Sequence, residues 1–162
     1  MKEFALVRID DRLIHGQVMA VWMRYLGNVK HIVIVDDNTA KDPFMTQVLR
    51  AAAPAGVQVS VLSVADAIST LGGEDADFSH HLLLMRSPRT ALALLEGGVR
   101  FSTLNVGGIG AGPGRKPLYR NISASPQEME WFRAIQAKGV EISFRIVPDD
   151  KGVSFRNLDK SV

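Results

Sequence analysis

The sequence predicts an α/β fold, a single-domain open, mainly parallel sheet of about six or seven strands with helices on both faces. Short β-branched or leucine-rich runs alternate with amphipathic segments, which is typical of a parallel sheet crossed by helices. The run His31–Val35 is apolar after its first residue, as in strands that are buried on both faces. No repeat, linker or low-complexity segment interrupts the 162 residues, so we expect one domain over 1–162.

The predicted strands are short runs rich in Val, Ile, Leu and Phe, a composition that suits a pleated, buried surface. Six strands are predicted over 4–9, 31–35, 57–62, 81–85, 103–106 and 140–147. Leu118–Ile122 is expected to form a short extended piece, and Val153–Phe155 a small edge strand. Because the carboxyl ends of parallel strands meet at one edge of the sheet, the loops that follow them are the expected ligand-binding segments.

The helices are predicted from apolar spacing and from their first residues. Spacing predicts helices over Gly16–Leu26 and over 64–71. Three more begin with a capping residue followed by proline, namely Asp42-Pro43, Ser87-Pro88 and Ser125-Pro126. In the last of these, Glu128 completes a capping box. Methionine and leucine side chains on the helices, Met45 and Leu49 among them, are expected in the core.

Composition argues against several classes of protein. The chain has no cysteine, so it forms neither disulfides nor thiolate metal sites. It starts without a signal-peptide pattern and has no run of about 18 apolar residues, so we expect a cytoplasmic protein. The net charge of +2 and the 7% aromatic content, with arginines scattered along the chain, argue against nucleic-acid binding.

The stretch Arg8–His15 is the strongest candidate for chemistry. An apolar run leads into two arginines, two aspartates and a histidine, and a helix is predicted to begin at Gly16. Imidazole can be a nucleophile toward phosphorus, guanidinium groups can hold phosphate oxygens, and free N–H groups at a helix start add hydrogen bonds. The stretch therefore suits the handling of a phosphoryl group.

Other polar residues are expected at the same edge of the sheet. Asp10 and Asp11 are adjacent, and in an extended loop adjacent side chains diverge. One of them is expected to orient the imidazole or to pair with a neighbouring arginine. The loops after other strands add residues 36–38, Arg86 and the segment from 107 onward.

The remaining histidines, His31, His80 and His81, show no spacing typical of metal ligands. Adjacent His80 and His81 would point to opposite faces of a strand. We therefore expect no metal site, and we interpret His31 and His81 as residues that open strands.

The glycine-rich segment Gly107–Lys116 fails both nucleotide-binding templates. Pro113 stands where the dinucleotide motif needs glycine, and the Gly-Lys-Ser/Thr end of a P-loop is absent. Its glycines are expected to form a flexible connection or to allow a partner to approach closely. Arg115 and Lys116 are candidate phosphate-attracting or docking charges. Without cysteine or a GxSxG elbow, we expect no serine or cysteine chemistry.

The run Arg8–Val18 resembles the motif of the IIB components of the mannose/fructose/sorbose family of bacterial phosphotransferase systems. The resemblance covers nearly the whole chain and includes Ile34–Asp37, Asn105–Gly108 and Gly139–Ile142. The fold of that family, an open α/β sheet with helices on both faces, agrees with the fold predicted above. Ile109–Lys116 departs from the family pattern in its glycine and proline content, which affects the expected partner contacts but not the chemistry.

The resemblance implies that His15 is phosphorylated. A IIA phosphocarrier would donate the phosphoryl group in line to a neutral imidazole nitrogen, with Nδ1 favoured, and the group would pass to a sugar held by the membrane components IIC and IID. The phosphate-binding or orienting residues expected beside His15 are Arg12, Asp10 and Gly16. Arg8 and Arg86 are added only by their expected place at the carboxyl edge of the sheet. Of these, Arg12 is expected to grip the phosphoryl oxygens. The resemblance implies no cofactor, and it implies a location at the inner face of the membrane through contact with the permease.

Two other classes of function stay open on the residues alone. One is a phosphate- or nucleotide-binding regulatory α/β module in which His15 only contacts the ligand, and the other is a small α/β hydrolase. The transported sugar and the oligomeric state are not encoded in any motif of the chain.

Overall fold

The structure, a computed structural model, describes residues 2–160. The strands defined in that part of the chain are β1 (Leu6–Asp10), β2 (His31–Val35), β3 (Gln58–Leu62), β4 (His81–Met85), β5 (Thr103–Gly108), β6 (Lys116–Tyr119), β7 (Ile122–Ala124), β8 (Glu141–Phe144) and β9 (Val153–Ser154). The helices are α1 (Gly16–Leu26), α2 (Asp37–Ala40), α3 (Pro43–Ala52), α4 (Val64–Leu71), α5 (Pro88–Glu96), α6 (Pro126–Ala137) and α7 (Phe155–Lys160).

Seven of these strands form one sheet in the spatial order β3-β2-β4-β1-β5-β8-β9. All neighbouring pairs are parallel except β8 and β9, which are antiparallel. Strands β6 and β7 form a separate antiparallel hairpin. The predicted α/β class and the mainly parallel sheet are therefore confirmed.

Helices cover both faces of the sheet because successive side chains of its central strands point to opposite sides. On one face, called here the α1 face, Ile34 packs in one core with Met19 of α1 and Leu49 of α3. On the other, the α5 face, Val35 packs with residues of α4, α5 and α6, Phe132 among them. The prediction of helices on both faces is confirmed.

Local signals located most helix starts correctly. Helix α1 spans the predicted residues, and the side chains of Asp42, Ser63, Ser87 and Ser125 each accept a hydrogen bond from a backbone N–H in the first turn of the helix they precede. The capping box of Ser125 and Glu128 is present. Two short helices, α2 and α7, were not predicted. Asp36, expected in a ligand-binding loop, is instead the N-cap of α2.

Four predictions about extent, conformation or burial differ from the structure. Strand β5 continues through Gly107 and Gly108, which were expected in a loop. Strand β8 is shorter than predicted, and the extended piece near 118–122 is part of a hairpin. Met45 is 39% exposed rather than buried in the core, because α3 turns a second apolar side toward solvent.

Candidate active site

The loop after β1 lies at the topological switch point of the sheet, where the helices that follow two neighbouring strands lie on opposite faces. Strands β1 and β4 are parallel neighbours, with Ile9 opposite Met85. The helix that follows β1 covers the α1 face, and the helix that follows β4 covers the α5 face. Open α/β sheets bind ligands in the crevice between such strands, beyond their carboxyl ends. Residues 10–16 and Arg86 lie at this crevice.

A tight turn shapes the loop between β1 and α1. The N–H of Leu13 donates to the Asp10 carbonyl at 2.9 Å, and Leu13 has a left-handed φ of 58°. Leu13 and Ile14 are 5% and 7% exposed and belong to the core of the α1 face. These two apolar side chains fasten the loop, so the next residue, His15, is turned outward.

His15 is the exposed N-cap residue of α1. Its carbonyl accepts the N–H of Met19 at 3.0 Å, but its side chain makes no capping bond. Across residues 2–160 the imidazole has no hydrogen-bond partner. The N–H groups of Gly16, Gln17 and Val18 precede the first intrahelical bond and point out of the helix start. The imidazole of His15, which has no hydrogen-bond partner in this range, thus lies beside backbone N–H groups that can bind an anion.

Arg12 is held beside this helix start by Asp10. Its Nε and Nη2 donate to the two carboxylate oxygens of Asp10 at 2.9 and 3.0 Å, and its backbone N–H donates to Oδ1 at 3.1 Å. The hydrogen bond to Asp10 raises the pKa of Arg12 above its usual value, so the guanidinium stays charged. The side chain is 36% exposed, and no hydrogen bond to a described residue occupies its Nη1. That nitrogen is free for an anion.

Arg8 is buried, at 1% exposure, on the other side of Asp10. Its Nη2 donates to Asp10 at 3.2 Å and its Nη1 donates to Asn105 Oδ1 at 2.6 Å. The carbonyls of Arg145 and Ile146 accept from the same two nitrogens at 3.2 and 3.1 Å. Burial lowers the pKa of Arg8, and Asp10 opposes that fall. With its Nη donors committed, the geometry supports an orienting role for Arg8 and no direct contact with a phosphoryl group.

Glycine at position 107 makes room for the Arg8 guanidinium. A Cβ on Gly107 would lie 1.9–2.1 Å from three atoms of that group. A Cβ on Gly108 would similarly lie 2.7 Å from Asp10 Oδ1. These glycines therefore belong to the site as neighbours of the ionic network, although the sequence suggested a flexible connection.

Sequence reasoning missed the residues that close the network from the α1 side. Trp22 is 3% exposed, its Nε1 donates to the Ile146 carbonyl at 2.9 Å, and its ring lies 5.4 Å from the Arg8 guanidinium carbon. Arg145 lies over the same ring at 5.8 Å. Asp150 accepts the N–H of Ile146 at 3.0 Å and so fixes the turn that supplies both carbonyls. A tryptophan on a helix beside a charged loop was the available signal.

The sequence profile described as the PTS system sorbose subfamily IIB component matches residues 4–161. The chain belongs to this IIB family. Its relatives include the sorbose-specific EIIB component of Klebsiella pneumoniae, with 36% identity over 98% of this chain and 94% of the relative. The mannose-specific EIIAB component of Escherichia coli is 34% identical, and the match covers 94% of this chain but 47% of that protein.

Solved structures of IIB proteins share the fold. The IIBSor domain of the sorbose permease from Klebsiella pneumoniae superimposes with a TM-score of 0.91 and 34% identity, over 100% of this chain and 98% of that one. The crystal structure of manxB from Thermoanaerobacter tengcongensis gives a TM-score of 0.90 and 33% identity, over 99% and 96% of the two chains. Membership of the family makes this chain a transferase of PTS sugar transport.

In this IIB component the glycine-rich segment is tied to the loop of His15. Asp11 accepts the N–H of Gly110 at 2.8 Å. Arg115, a candidate docking charge, donates to the Gly110 carbonyl and pairs with Glu128 through Nε and Nη2, each at 3.0 Å. Its charge is thus committed to α6, whereas Lys116 is exposed at the start of β6.

The remaining predicted residues at the crevice have other roles or free side chains. Arg86 is exposed, and no hydrogen bond or ion pair within residues 2–160 involves its side chain. Asp36 accepts from the N–H and the hydroxyl of Thr39. Asp37 accepts the N–H of Val64, the first residue of α4, at 2.8 Å. Asp36 and Asp37 therefore stabilise helix starts in this IIB component.

Residues 2–160 contain no group of three or more His, Asp or Glu side chains placed to hold a metal ion. None of the helices in that range is long and apolar enough to cross a membrane. His31 and His81 lie at the opposite, amino-terminal edge of the sheet from His15, with ring centroids 5.0 Å apart.

Proposed function

We propose that this IIB component is a phosphocarrier. It accepts a phosphoryl group from a IIA phosphohistidine onto His15 and passes it to a sugar bound by the IIC and IID membrane components during uptake. The observation that carries the proposal is the His15 imidazole. It is exposed at the start of α1 and makes no hydrogen bond to another residue within 2–160. A histidine placed so can meet a second protein directly.

The surrounding groups suit the transfer of a phosphoryl group. Phosphoryl transfer needs positioning and charge stabilisation more than covalent assistance. Arg12 offers Nη1 to the phosphoryl oxygens, and the N–H groups from Gly16 onward offer hydrogen bonds and the positive end of the helix. Arg8 and Asp10 orient Arg12, and exposed Arg86 is a further candidate for contact with the anion.

The step balances without a cofactor. A neutral His15 nitrogen, Nδ1 in this proposal, forms the new N–P bond with its lone pair. The P–N bond of the donor breaks, and its electron pair leaves with the donor imidazole. The donor ring takes up one proton, and the His15 ring releases one from its other nitrogen. In the second step a sugar hydroxyl attacks the same phosphorus, and the His15 N–P bond breaks with its electron pair left on the ring. The hydroxyl proton replaces the one that His15 released.

The names of the relatives support the proposed partners. The E. coli relative is an EIIAB component, so in that protein A and B parts share one chain. The Klebsiella structure is a domain of a sorbose permease. We infer from this partnership that the chain acts at the inner face of the membrane, in contact with the permease. The sugar is proposed only as a class, because the relatives carry sorbose, mannose, fructose and N-acetylgalactosamine in their names.

The test is phosphorylation from phosphoenolpyruvate through the general phosphotransferase proteins and a IIA of the sorbose or mannose type. We expect this IIB component to acquire an acid-labile, base-stable phosphate. His15→Ala should acquire none. His80→Ala is the matched control, because His80 is exposed at the far edge of the sheet and its loss should leave the label intact.

Two results would contradict the proposal. Label that persists in His15→Ala would place the phosphate elsewhere. A wild-type protein that stays unlabelled with each IIA would favour a regulatory module that binds phosphate without reacting. Adding membranes that contain IIC and IID, with a panel of sugars, then tests the second step through loss of the label to a sugar phosphate.

A further inference from the structure

Exposed apolar side chains in this IIB component are concentrated on one helix. Four large hydrophobic residues within residues 2–160 are well exposed, and three of them belong to α3: Phe44 at 74%, Met45 at 39% and Val48 at 43%. The fourth is Tyr25, in the last turn of α1. Phe44 and Val48 are one turn apart and therefore share a side of α3. The three α3 residues are called the α3 patch below.

The side chains of the α3 patch are not part of the hydrophobic core. The inward side of α3 carries Leu49, which is 4% exposed and packs with Ile34 and Val59 of the sheet. A phenylalanine that keeps three quarters of its surface in water gains little from folding. Single exposed apolar residues are ordinary, but a cluster on one helix marks an interaction surface.

The α3 patch lies at the same edge and on the same face of the sheet as His15. Helix α3 begins after Asp42, near the carboxyl end of β2, and α1 begins after His15, beyond the carboxyl end of β1. Leu49 of α3 packs in one core with Leu13 and Ile14 of the loop that precedes His15. Only β4 separates β1 from β2 in the sheet, and packed neighbouring helices lie about 8–10 Å apart.

We propose that the α3 patch is the apolar anchor for the IIA phosphocarrier. This inference rests on the proposed function. A phosphohistidine is a short side chain on the surface of its protein, so the donor surface must lie flat against this edge before two imidazoles can bring the reacting atoms within about 3–3.5 Å. A standard protein–protein interface covers about 800 Å² on each partner. An area of that size around His15 extends across the first turns of α1 and α3.

The chemistry of the α3 patch fits a brief encounter with such a surface. Phe44 supplies one large rigid contact of the kind that dominates binding free energy. Met45 is flexible and adapts to an irregular partner. The matching IIA surface is expected to present an apolar depression to one side of its phosphohistidine. Arg12 meets the phosphoryl group and the α3 patch meets the protein that carries it.

The test measures the initial rate of His15 phosphorylation against the concentration of phosphorylated IIA. We expect Phe44→Ser to raise KM about tenfold, a typical effect for an interface anchor, and to change kcat less than about twofold. Val48→Ser should raise KM less. Tyr25→Ser, which removes an exposed aromatic side chain from the far end of α1, is the matched control and should leave KM within about twofold. Phosphorylation of His15 by a small phosphoramidate donor should be equal in the wild type and in Phe44→Ser.

The outcomes separate this inference from the proposed function. If the wild type is never labelled on His15, the phosphocarrier function itself fails. If the wild type is labelled and Phe44→Ser and Val48→Ser keep the wild-type KM, the α3 patch is not the IIA anchor. A loss confined to sugar phosphorylation by membranes with IIC and IID would assign the patch to the permease and overturn the inference. A thermal unfolding midpoint near that of the wild type shows that each variant is folded.

Discussion

Asp10 Oδ2 accepts a hydrogen bond from Arg8 Nη2 at 3.2 Å, and each of these side chains is 1% exposed. The same carboxylate accepts both Nε and Nη2 of Arg12. Because one carboxylate lies between two guanidinium groups, this trio of side chains carries one positive charge in excess. The buried pair thus links the rigid sheet to the one arginine of this network that reaches solvent at the site.

Replacing Asp10 with asparagine should destabilise the protein strongly. The neutral amide of Asp10→Asn would leave the buried Arg8 guanidinium without its counter-charge, and breaking a buried ion pair from one side costs about 3–5 kcal/mol. Urea unfolding measures the loss. Asp11→Asn is the matched control, because Asp11 accepts a single N–H from Gly110, and we expect a loss of about 1 kcal/mol there. Equal small losses for both variants would mean that the buried pair contributes little.

Gly107→Ala should break the same network from the other side. The new methyl group would overlap the Arg8 guanidinium, so the side chain would have to leave Asp10 and Asn105. We expect a loss of at least about 3 kcal/mol in the free energy of unfolding, together with slower phosphorylation of His15. Gly112→Ala places its Cβ at an ordinary 3.6 Å from Arg115 and should change stability by less than about 0.5 kcal/mol. A stable, active Gly107→Ala would contradict the packing described.

Arg12→Lys should impair transfer more than folding. Lysine keeps the charge but has a single side-chain nitrogen. It cannot bind Asp10 through two nitrogens and present a third to the phosphoryl group, as the arginine fork can. We expect phosphorylation of His15 to slow about 100-fold, as when one donor to a developing anion is lost. Because Arg12 is 36% exposed, we expect stability to change by less than about 1 kcal/mol. Arg24→Lys, in the last turn of α1, is the control and should react at the wild-type rate.

Stability should fall as the pH falls below about 6.5, the ordinary histidine pKa. Burial lowers the pKa of both His31 and His81. Nearby His81 lowers that of His31 further, whereas Asp77 partly opposes the fall for His81. The unfolded chain therefore binds protons at a pH where the folded protein does not, and the free energy of unfolding decreases with decreasing pH.

Urea unfolding at about pH 7.5, 6.5 and 5.5 measures this slope on either side of the ordinary histidine pKa. The double variant His31→Gln, His81→Gln should show a shallower decrease below the ordinary pKa than the wild type. The same slope in both proteins would show that other groups carry the pH dependence.

The sequence located those elements whose signals are local. Asp42 and Ser125 each cap a helix through atoms three residues away, so short-range reading finds them. Helix α2 has four residues, too few for a periodic pattern to develop. Met45 was misplaced because apolar spacing indicates a helix but does not say which of two apolar sides the sheet will cover.

The contacts inside the site could not be predicted from short stretches of sequence, because they join residues far apart in the chain. Asn105 lies 97 positions from Arg8, and the accepting carbonyls of Arg145 and Ile146 lie 137 and 138 positions away. Nothing near Arg8 in the chain distinguishes it from exposed Arg12. Gly107 was interpreted as a loop residue because glycine is depleted in strands, yet it lies in β5 where a side chain passes close to the backbone.

The left-handed backbone of Leu13 has a consequence for how the protein meets its partners. A non-glycine residue in this conformation costs about 1–2 kcal/mol, and burial of its side chain offsets that strain within the folded protein. The loop before His15 therefore loses its conformational entropy during folding, and association with a partner has little left to order. Complexes formed here can be specific without being long-lived, which suits the proposed phosphocarrier role, in which one partner is released before the next is engaged.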